Sequence, residues 1–227
     1  MITMQPVLVV NFKTYKEGTG KNAEQFALIA DEVAKSYDVR VILAVQAYDL
    51  HQICSAVSLP IYVQHLDPAS FGSHTGAMLP EAAKDYGATG TLLNHAERRI
   101  SLEQLQQTIG RCKDVGLETL VCTDVLGDVE KITPWEPTYI AYEDPKLIGT
   151  GNSITGQQGD VIRSFASLVN GTTIPLCGAG VTTGTDVTEA LKIGTRGAVF
   201  ASAIIRTPDH RKLLEELIRA LHNGNQQ

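Results

Sequence analysis

Short, β-rich apolar runs recur eight times along the chain, each followed by a stretch of helical character, and this alternation limits the possible folds more than any other feature. The runs are Val7–Asn11, Val39–Val45, Ile61–Gln64, Thr91–Leu93, Glu118–Cys122, Tyr139–Tyr142, Ile174–Cys177 and Ala198–Ala201. Most are continuously apolar rather than alternating, as expected for parallel strands covered on both faces. Between them the period changes. Leu102, Leu105, Ile109 and Cys112 recur at helical spacing behind Ser101, an N-cap residue with Gln104 three positions on. Leu213, Leu214, Leu217, Ile218 and Leu221 form the apolar stripe of a last helix, which opens behind Pro208 and Asp209.

Eight such units in 227 residues leave about 28 residues for each, with no linker or low-complexity break between them. Strict alternation argues a wholly parallel sheet, and eight equal units argue that the sheet closes on itself. The fold class expected is α/β, a (β/α)8 barrel formed by residues 1–227 as one compact domain. An open doubly wound sheet is the alternative, but it usually has about five or six strands and often a G-x-G-x-x-G turn after the first. Here the first strand runs into Asn11-Phe12-Lys13, and no glycine occurs before Gly18.

Composition narrows the function classes. With 25 Asp and Glu against 19 Lys and Arg the formal charge is −6, and no basic run breaks it, which disfavours nucleic acid and anionic membrane as partners. No apolar run exceeds five residues, far short of the roughly 20 that a membrane span needs. The start, Met1-Ile2-Thr3-Met4-Gln5, lacks the charged and apolar regions of a secretory signal. Cys54, Cys112, Cys122 and Cys177 are dispersed without a C-x-x-C pair, so they read as buried free thiols in a reducing cytoplasm. Neither a metal site nor a cofactor motif is expected.

In a barrel the chemistry sits where strands give way to helices. After the first strand stand Asn11 and Lys13; after the fourth, Asn94-His95-Ala96-Glu97-Arg98-Arg99; after the sixth, Glu143, followed by Pro145 and the Ile148-Gly149-Thr150-Gly151 segment. His95 is expected near the start of a helical turn, whose dipole disfavours imidazolium. A carboxylate followed by a proline-to-glycine loop reads as a general base carried beside a lid hinge. The seventh strand runs into Gly178-Ala179-Gly180 and the eighth into Ala201-Ser202, small residues that let backbone N–H groups approach an anion closely. Singly, each has an ordinary reading as a solvated charge, a structural histidine or a tight turn. Together they put a base, a histidine, a lysine and a phosphate cradle on one face.

These motifs resemble those of the triosephosphate isomerase family across nearly the whole chain. Asn11-Phe12-Lys13 matches its first-loop N-x-K, and Asn94 to Arg99 resembles the [GN]-H-S-E-x-R segment that holds the catalytic histidine. Tyr142 to Gly151 resembles the catalytic glutamate with its closing loop, while Gly178-Ala179-Gly180 and Ala201-Ser202 are similar to the phosphate loops of shortened, archaeal-type members. The resemblance implies the TIM-barrel fold and interconversion of dihydroxyacetone phosphate and D-glyceraldehyde 3-phosphate through an enediolate, a step of glycolysis and gluconeogenesis, in the cytoplasm and without metal or cofactor. It implies Glu143 as base, neutral His95 as electrophile, Lys13 and Asn11 as stabilisers of developing charge, and Glu97 as the partner of Lys13. Backbone groups of Ile148, Gly149, Gly180, Ala201 and Ser202 would hold the phosphate. The Gln64-to-Gly76 segment resembles the family's protruding third loop, which implies a homodimer at least, with Thr75 against the neighbour's Asn11 and Lys13, and short members favour a homotetramer.

Two positions depart from the family pattern. Ala96 stands where serine is usual, removing a hydroxyl whose hydrogen bond contributes about 1 kcal/mol. Asp144 stands where proline is usual, although Pro145 is kept. Both departures point to an active but slower enzyme. Two other readings compete: a different phosphate-binding barrel, such as an aldose–ketose isomerase of aromatic amino-acid synthesis, and a catalytically silent barrel that binds a sugar phosphate.

Overall fold

The computed structural model describes residues 5–143, 154–178 and 181–224. Eight parallel strands close into a barrel in chain order: β1 (Val7–Asn11), β2 (Arg40–Val45), β3 (Ile61–Val63), β4 (Gly90–Leu93), β5 (Glu118–Thr123), β6 (Tyr139–Tyr142), β7 (Ile174–Cys177) and β8 (Gly197–Phe200). The helices between them are α1 (Lys21–Ala34), α2 (Leu50–Ala56), α3 (Pro80–Asp85), α4 (Leu102–Val115), α5 (Leu126–Ile132), α6 (Ile154–Leu168) and α7 (Gly184–Lys192). A short α8 (Ser202–Ile205) and the long α9 (His210–Gly224) follow the last strand. The expected barrel is what forms.

Closure occurs at the β1–β8 seam, where Val7 pairs with Gly197 and Val10 with Phe200. A Cβ at position 197 would lie 1.9 Å from the Val7 carbonyl oxygen, so only glycine lets the two backbones approach this closely. The seam brings the end of β1, with Asn11 and Lys13, beside the end of β8.

Two apolar layers result from the period of two along each strand. Val7, Val9, Ile42, Ala44, Tyr62, Leu92, Leu120, Cys122, Tyr139, Ala141, Leu176 and Val199 fill the barrel interior. Their strand neighbours, among them Leu8, Val10, Leu43, Leu93, Val121, Ile140 and Cys177, belong to the outer layer that packs under the helices. The α4 start is as expected: Ser101 Oγ accepts from the Gln104 N–H at 3.1 Å and the Gln104 side chain accepts from the Ser101 N–H. On α9 Leu214, Leu217, Ile218 and Leu221 are fully buried.

Strand limits shift by a residue at several places. Val39, Gln64 and Ala201 lie outside their strands, and Ala201, at φ −143° and ψ −100°, already turns the chain into α8. Gly90 and Thr123, by contrast, extend β4 and β5, pairing with Glu118 and Tyr142. Neither residue is apolar, so a search for apolar runs passes over both.

Candidate active site

Continuing the inward two-residue step past the strand ends reaches Asn11 on β1, Gln64 after β3, Glu143 after β6, Gly178 after β7 and Ala201 after β8. The barrel's own periodicity therefore delivers polar groups to one mouth. Asn11 and Glu143 are buried there, at 3% and 5% exposure, without being part of the apolar core.

Lys13 sits at φ 49°, a left-handed backbone that is uncommon for a residue with a side chain. Asn11 supports it: its Oδ1 accepts from the Lys13 N–H at 3.0 Å. Gln64 Nε2 adds bonds to Asn11 Oδ1 at 3.2 Å and to the Lys13 carbonyl at 2.9 Å. Thus held, the Lys13 ammonium reaches Glu97 Oε1 at 2.7 Å, with only 9% of its side chain exposed. Both acceptor contacts of Asn11 use Oδ1, which leaves its Nδ2 group to donate elsewhere.

His95 is buried as well. It lies in a tight turn closed by the Arg98 N–H on the His95 carbonyl at 2.8 Å, whereas α4 begins only at Leu102. The expected helical start is thus a separate turn. The ring is oriented by a bond from the Glu97 N–H to Nδ1 at 3.1 Å. A backbone N–H can only donate, so Nδ1 accepts and the neutral ring carries its hydrogen on Nε2. That Nε2 faces Glu143 Oε2 at 3.5 Å. Glu143 Oε2 is buried and has no hydrogen-bond partner among the described residues. An unpaired buried carboxylate oxygen is costly, and such a group marks a place where a ligand atom belongs.

Two neighbours of Glu143 escape a reading based on strand-end polar residues. Gly178 makes room for it, since a Cβ there would lie 2.0 Å from Glu143 Cγ. Cys122, the last inward residue of the β5 interior row, carries its thiol beside the Glu143 carboxylate. Burial, followed by that negative neighbour, holds the thiol well above the usual range and keeps it protonated. The signal available in advance was parity: Leu120 and Cys122 share the inward face.

A cavity of about 320 Å³ opens beside Asn11, Lys13, Gln64, His65, His95 and Glu97. Tyr48, on its rim, is 98% exposed. Nearby, residues 70–77, Thr75 among them, form an exposed arm that carries Phe71. The base of the arm is pinched where the Asp67 N–H bonds the Met78 carbonyl at 3.0 Å and Asp67 Oδ2 takes the Met78 N–H at 2.7 Å. His65 Nε2 lies 3.2 Å from Asp67 Oδ1. Burial drives the His65 pKa below its ordinary value despite that carboxylate, with Arg98 adding to the fall.

Of the residues expected to act together, the structure brings Asn11, Lys13, His95, Glu97 and Glu143 to one mouth. Ala201 and Ser202 stand at the adjoining β8 end, where Ser202 opens α8. Ile148, Gly149 and Gly180, with Asp144, lie outside the described residues. Among the described residues no group of three or more His, Cys, Asp or Glu is arranged to hold a metal ion.

A family model described as triosephosphate isomerase matches residues 6–220. The chain is 37% identical over 217 residues to the triosephosphate isomerase of Methanothermus fervidus, covering 94% of this chain and 98% of the relative. It is 38% identical to that of Archaeoglobus fulgidus, over 95% of this chain and 98% of the relative. The Methanocaldococcus jannaschii enzyme is also 38% identical, over 94% and 99% respectively.

Proposed function

The chain belongs to the triosephosphate isomerase family, and we infer that its barrel mouth interconverts dihydroxyacetone phosphate and D-glyceraldehyde 3-phosphate by proton transfer. The observation that carries the reading is the 3.5 Å approach of His95 Nε2 to Glu143 Oε2, which has no hydrogen-bond partner among the described residues, at the mouth where Lys13 pairs with Glu97. Glu143 removes the proton from the carbon beside the carbonyl and returns it to the neighbouring carbon. His95, with its hydrogen on Nε2, polarises the carbonyl and moves a proton between the two oxygens. Lys13 and the amide hydrogens of Asn11 offset the negative charge of the enediolate. Glu97 anchors Lys13.

The phosphate is assigned to backbone N–H groups of Ile148, Gly149, Gly180, Ala201 and Ser202. Gripping this non-reacting end fixes the reacting carbons against Glu143. The chemistry asks for no metal or cofactor. The reaction belongs to glycolysis and gluconeogenesis, and the enzyme works in the cytoplasm. No described helix is long and apolar enough to cross a membrane.

Self-association is part of the same proposal. The exposed 70–77 arm of one subunit would enter its neighbour's cavity beside Asn11 and Lys13, with Thr75 at the contact, and the dimers would pair into a homotetramer. Sedimentation equilibrium measures this directly, and a monomer at micromolar concentration would refute it.

A coupled assay with glyceraldehyde 3-phosphate tests the activity. Turnover abolished by Glu143→Gln and by His95→Gln is the expected result. A wild-type chain that binds phosphoglycolate but turns over neither triose phosphate would establish the silent barrel instead. Restoring the family residues with Ala96→Ser and Asp144→Pro should raise turnover.

A further inference from the structure

At the end of β4 the inward two-residue step from Leu92 falls on Asn94 and not on His95. Leu93 belongs to the outer layer, so an uninterrupted extended chain would direct residue 95, two positions on, away from the barrel mouth. Asn94 instead adopts φ 57°, in the left-handed region, and the chain turns there. His95 then faces Glu143.

The Asn94 side chain secures this turn at two places. Its Nδ2 donates to the Cys122 carbonyl on β5 at 3.0 Å, taking the role of a ladder N–H where the β4–β5 pairing has ended. Its Oδ1 accepts from the Ile100 N–H at 3.1 Å, closing the 94–100 loop on itself. Inside that closed loop lie the two bonds that hold His95, from the Glu97 N–H to Nδ1 and from the Arg98 N–H to the carbonyl. The residue clamped on β5 is also the one whose buried thiol is the neighbour of the Glu143 carboxylate. One buried amide thus touches the supports of both proposed proton-transfer groups.

We propose that Asn94 is a positioning residue that sets the His95–Glu143 separation, acting through its loop on the imidazole and through the Cys122 backbone on the carboxylate. The proposal rests on the isomerase reading, and wild-type turnover tests that reading separately. Asn94→Gly keeps access to the left-handed backbone but loses both bonds. Asn94→Asp keeps the acceptor for the Ile100 N–H and loses the donor to Cys122, placing a carboxylate against a carbonyl oxygen.

The expected result for Asn94→Gly is a kcat lowered on the order of 10- to 100-fold, the scale of an ångström-level misplacement, with KM changed less than about 3-fold. Nitrogen-15 spectra of the imidazole read the same effect without substrate: the distinct acceptor Nδ1 and protonated Nε2 signals should average towards each other. Asn94→Asp should show an intermediate kcat. Wild-type-like kcat and imidazole spectra in both variants, whatever their melting temperatures, would overturn the proposal. So would an Asn94→Gly loss confined to KM or to the folded fraction. If Asn94→Gly does not fold, Asn94→Asp alone decides on the same two readouts.

Discussion

Gly178 stands so close behind Glu143 that the glutamate occupies the space a side chain at 178 would need: a Cβ there would lie 2.0 Å from Glu143 Cγ and 2.8 Å from the Tyr142 carbonyl oxygen. The backbone contact cannot give way easily, since the Gly178 N–H bonds that same carbonyl at 2.9 Å. A methyl group must therefore push the glutamate aside. Gly178→Ala is expected to lower kcat by about 100-fold, while circular dichroism stays that of the wild type. A kcat within twofold would mean that Glu143 works equally well from another rotamer.

Glu97 is 58% exposed at its side chain, yet it is the ion-pair partner of a nearly buried ammonium. Glu97→Gln keeps the backbone N–H that orients His95 and removes only the charge facing Lys13. The expected loss is about 10-fold in kcat/KM, equivalent to about 1.4 kcal/mol of transition-state stabilisation. The loss should be absent in a Lys13→Met background, because the pair would already be broken. Additive losses in that double-mutant cycle would show that the two side chains act independently.

Burial pushes the Cys54 thiol up to about 11 and the Cys112 thiol up to about 12, and it drives Cys122 and Cys177 well above the ordinary range. Thiolate is the reactive form. Iodoacetamide at pH 8 is accordingly expected to leave Cys112, Cys122 and Cys177 unlabelled in the native protein and to modify half-buried Cys54 slowly. All four should react after denaturation. Peptide mass spectrometry gives the answer, and rapid native labelling of Cys122 would refute its described place against Glu143.

The base of the exposed arm should be acid-sensitive. Burial is the largest influence on His65 and holds its pKa below the unfolded value, so the unfolded chain binds the proton first. Its contribution to stability is present above about pH 6.5 and falls as pH drops through the lower folded pKa. For Asp67, burial acts to raise the pKa, but the Met78 N–H and His65 outweigh it and the net shift is downward, so its contribution is lost at still lower pH. His65→Asn should flatten the dependence of melting temperature on pH just below 6.5 and weaken, without abolishing, the more acidic limb, which the Met78 N–H bond to Asp67 still supports. An unchanged slope in that first window would show that His65 does not titrate differently in the two states.

Much of this architecture is legible in the chain because parallel strands covered on both faces must be apolar, and Val7–Asn11, Tyr139–Tyr142 and Ile174–Cys177 are read with their observed limits. Asn11, Lys13 and Glu143 are legible for the same reason, as polar residues that abruptly end an apolar run. His95 is legible as a residue but not as a direction, since its aim depends on the left-handed turn at Asn94, which no hydrophobic pattern encodes. Cys122 and Gly178 are harder still. A small or sulfur-bearing side chain beside a carboxylate leaves no periodic signature, and its meaning appears only when β5, β6 and β7 stand side by side.

The β1–β8 seam also imposes an order of events on synthesis. Asn11 and Lys13 leave the ribosome early, but the Ala201-Ser202 end of the eighth strand is among the last parts of the barrel to follow. Until Gly197 reaches Val7, the sheet has two raw edges and the mouth has no circumference. A nascent chain that stops short of β8 therefore holds Lys13, His95 and Glu143 without the closed ring that gathers them at one mouth. Activity in this molecule is a property that arrives with its last strand.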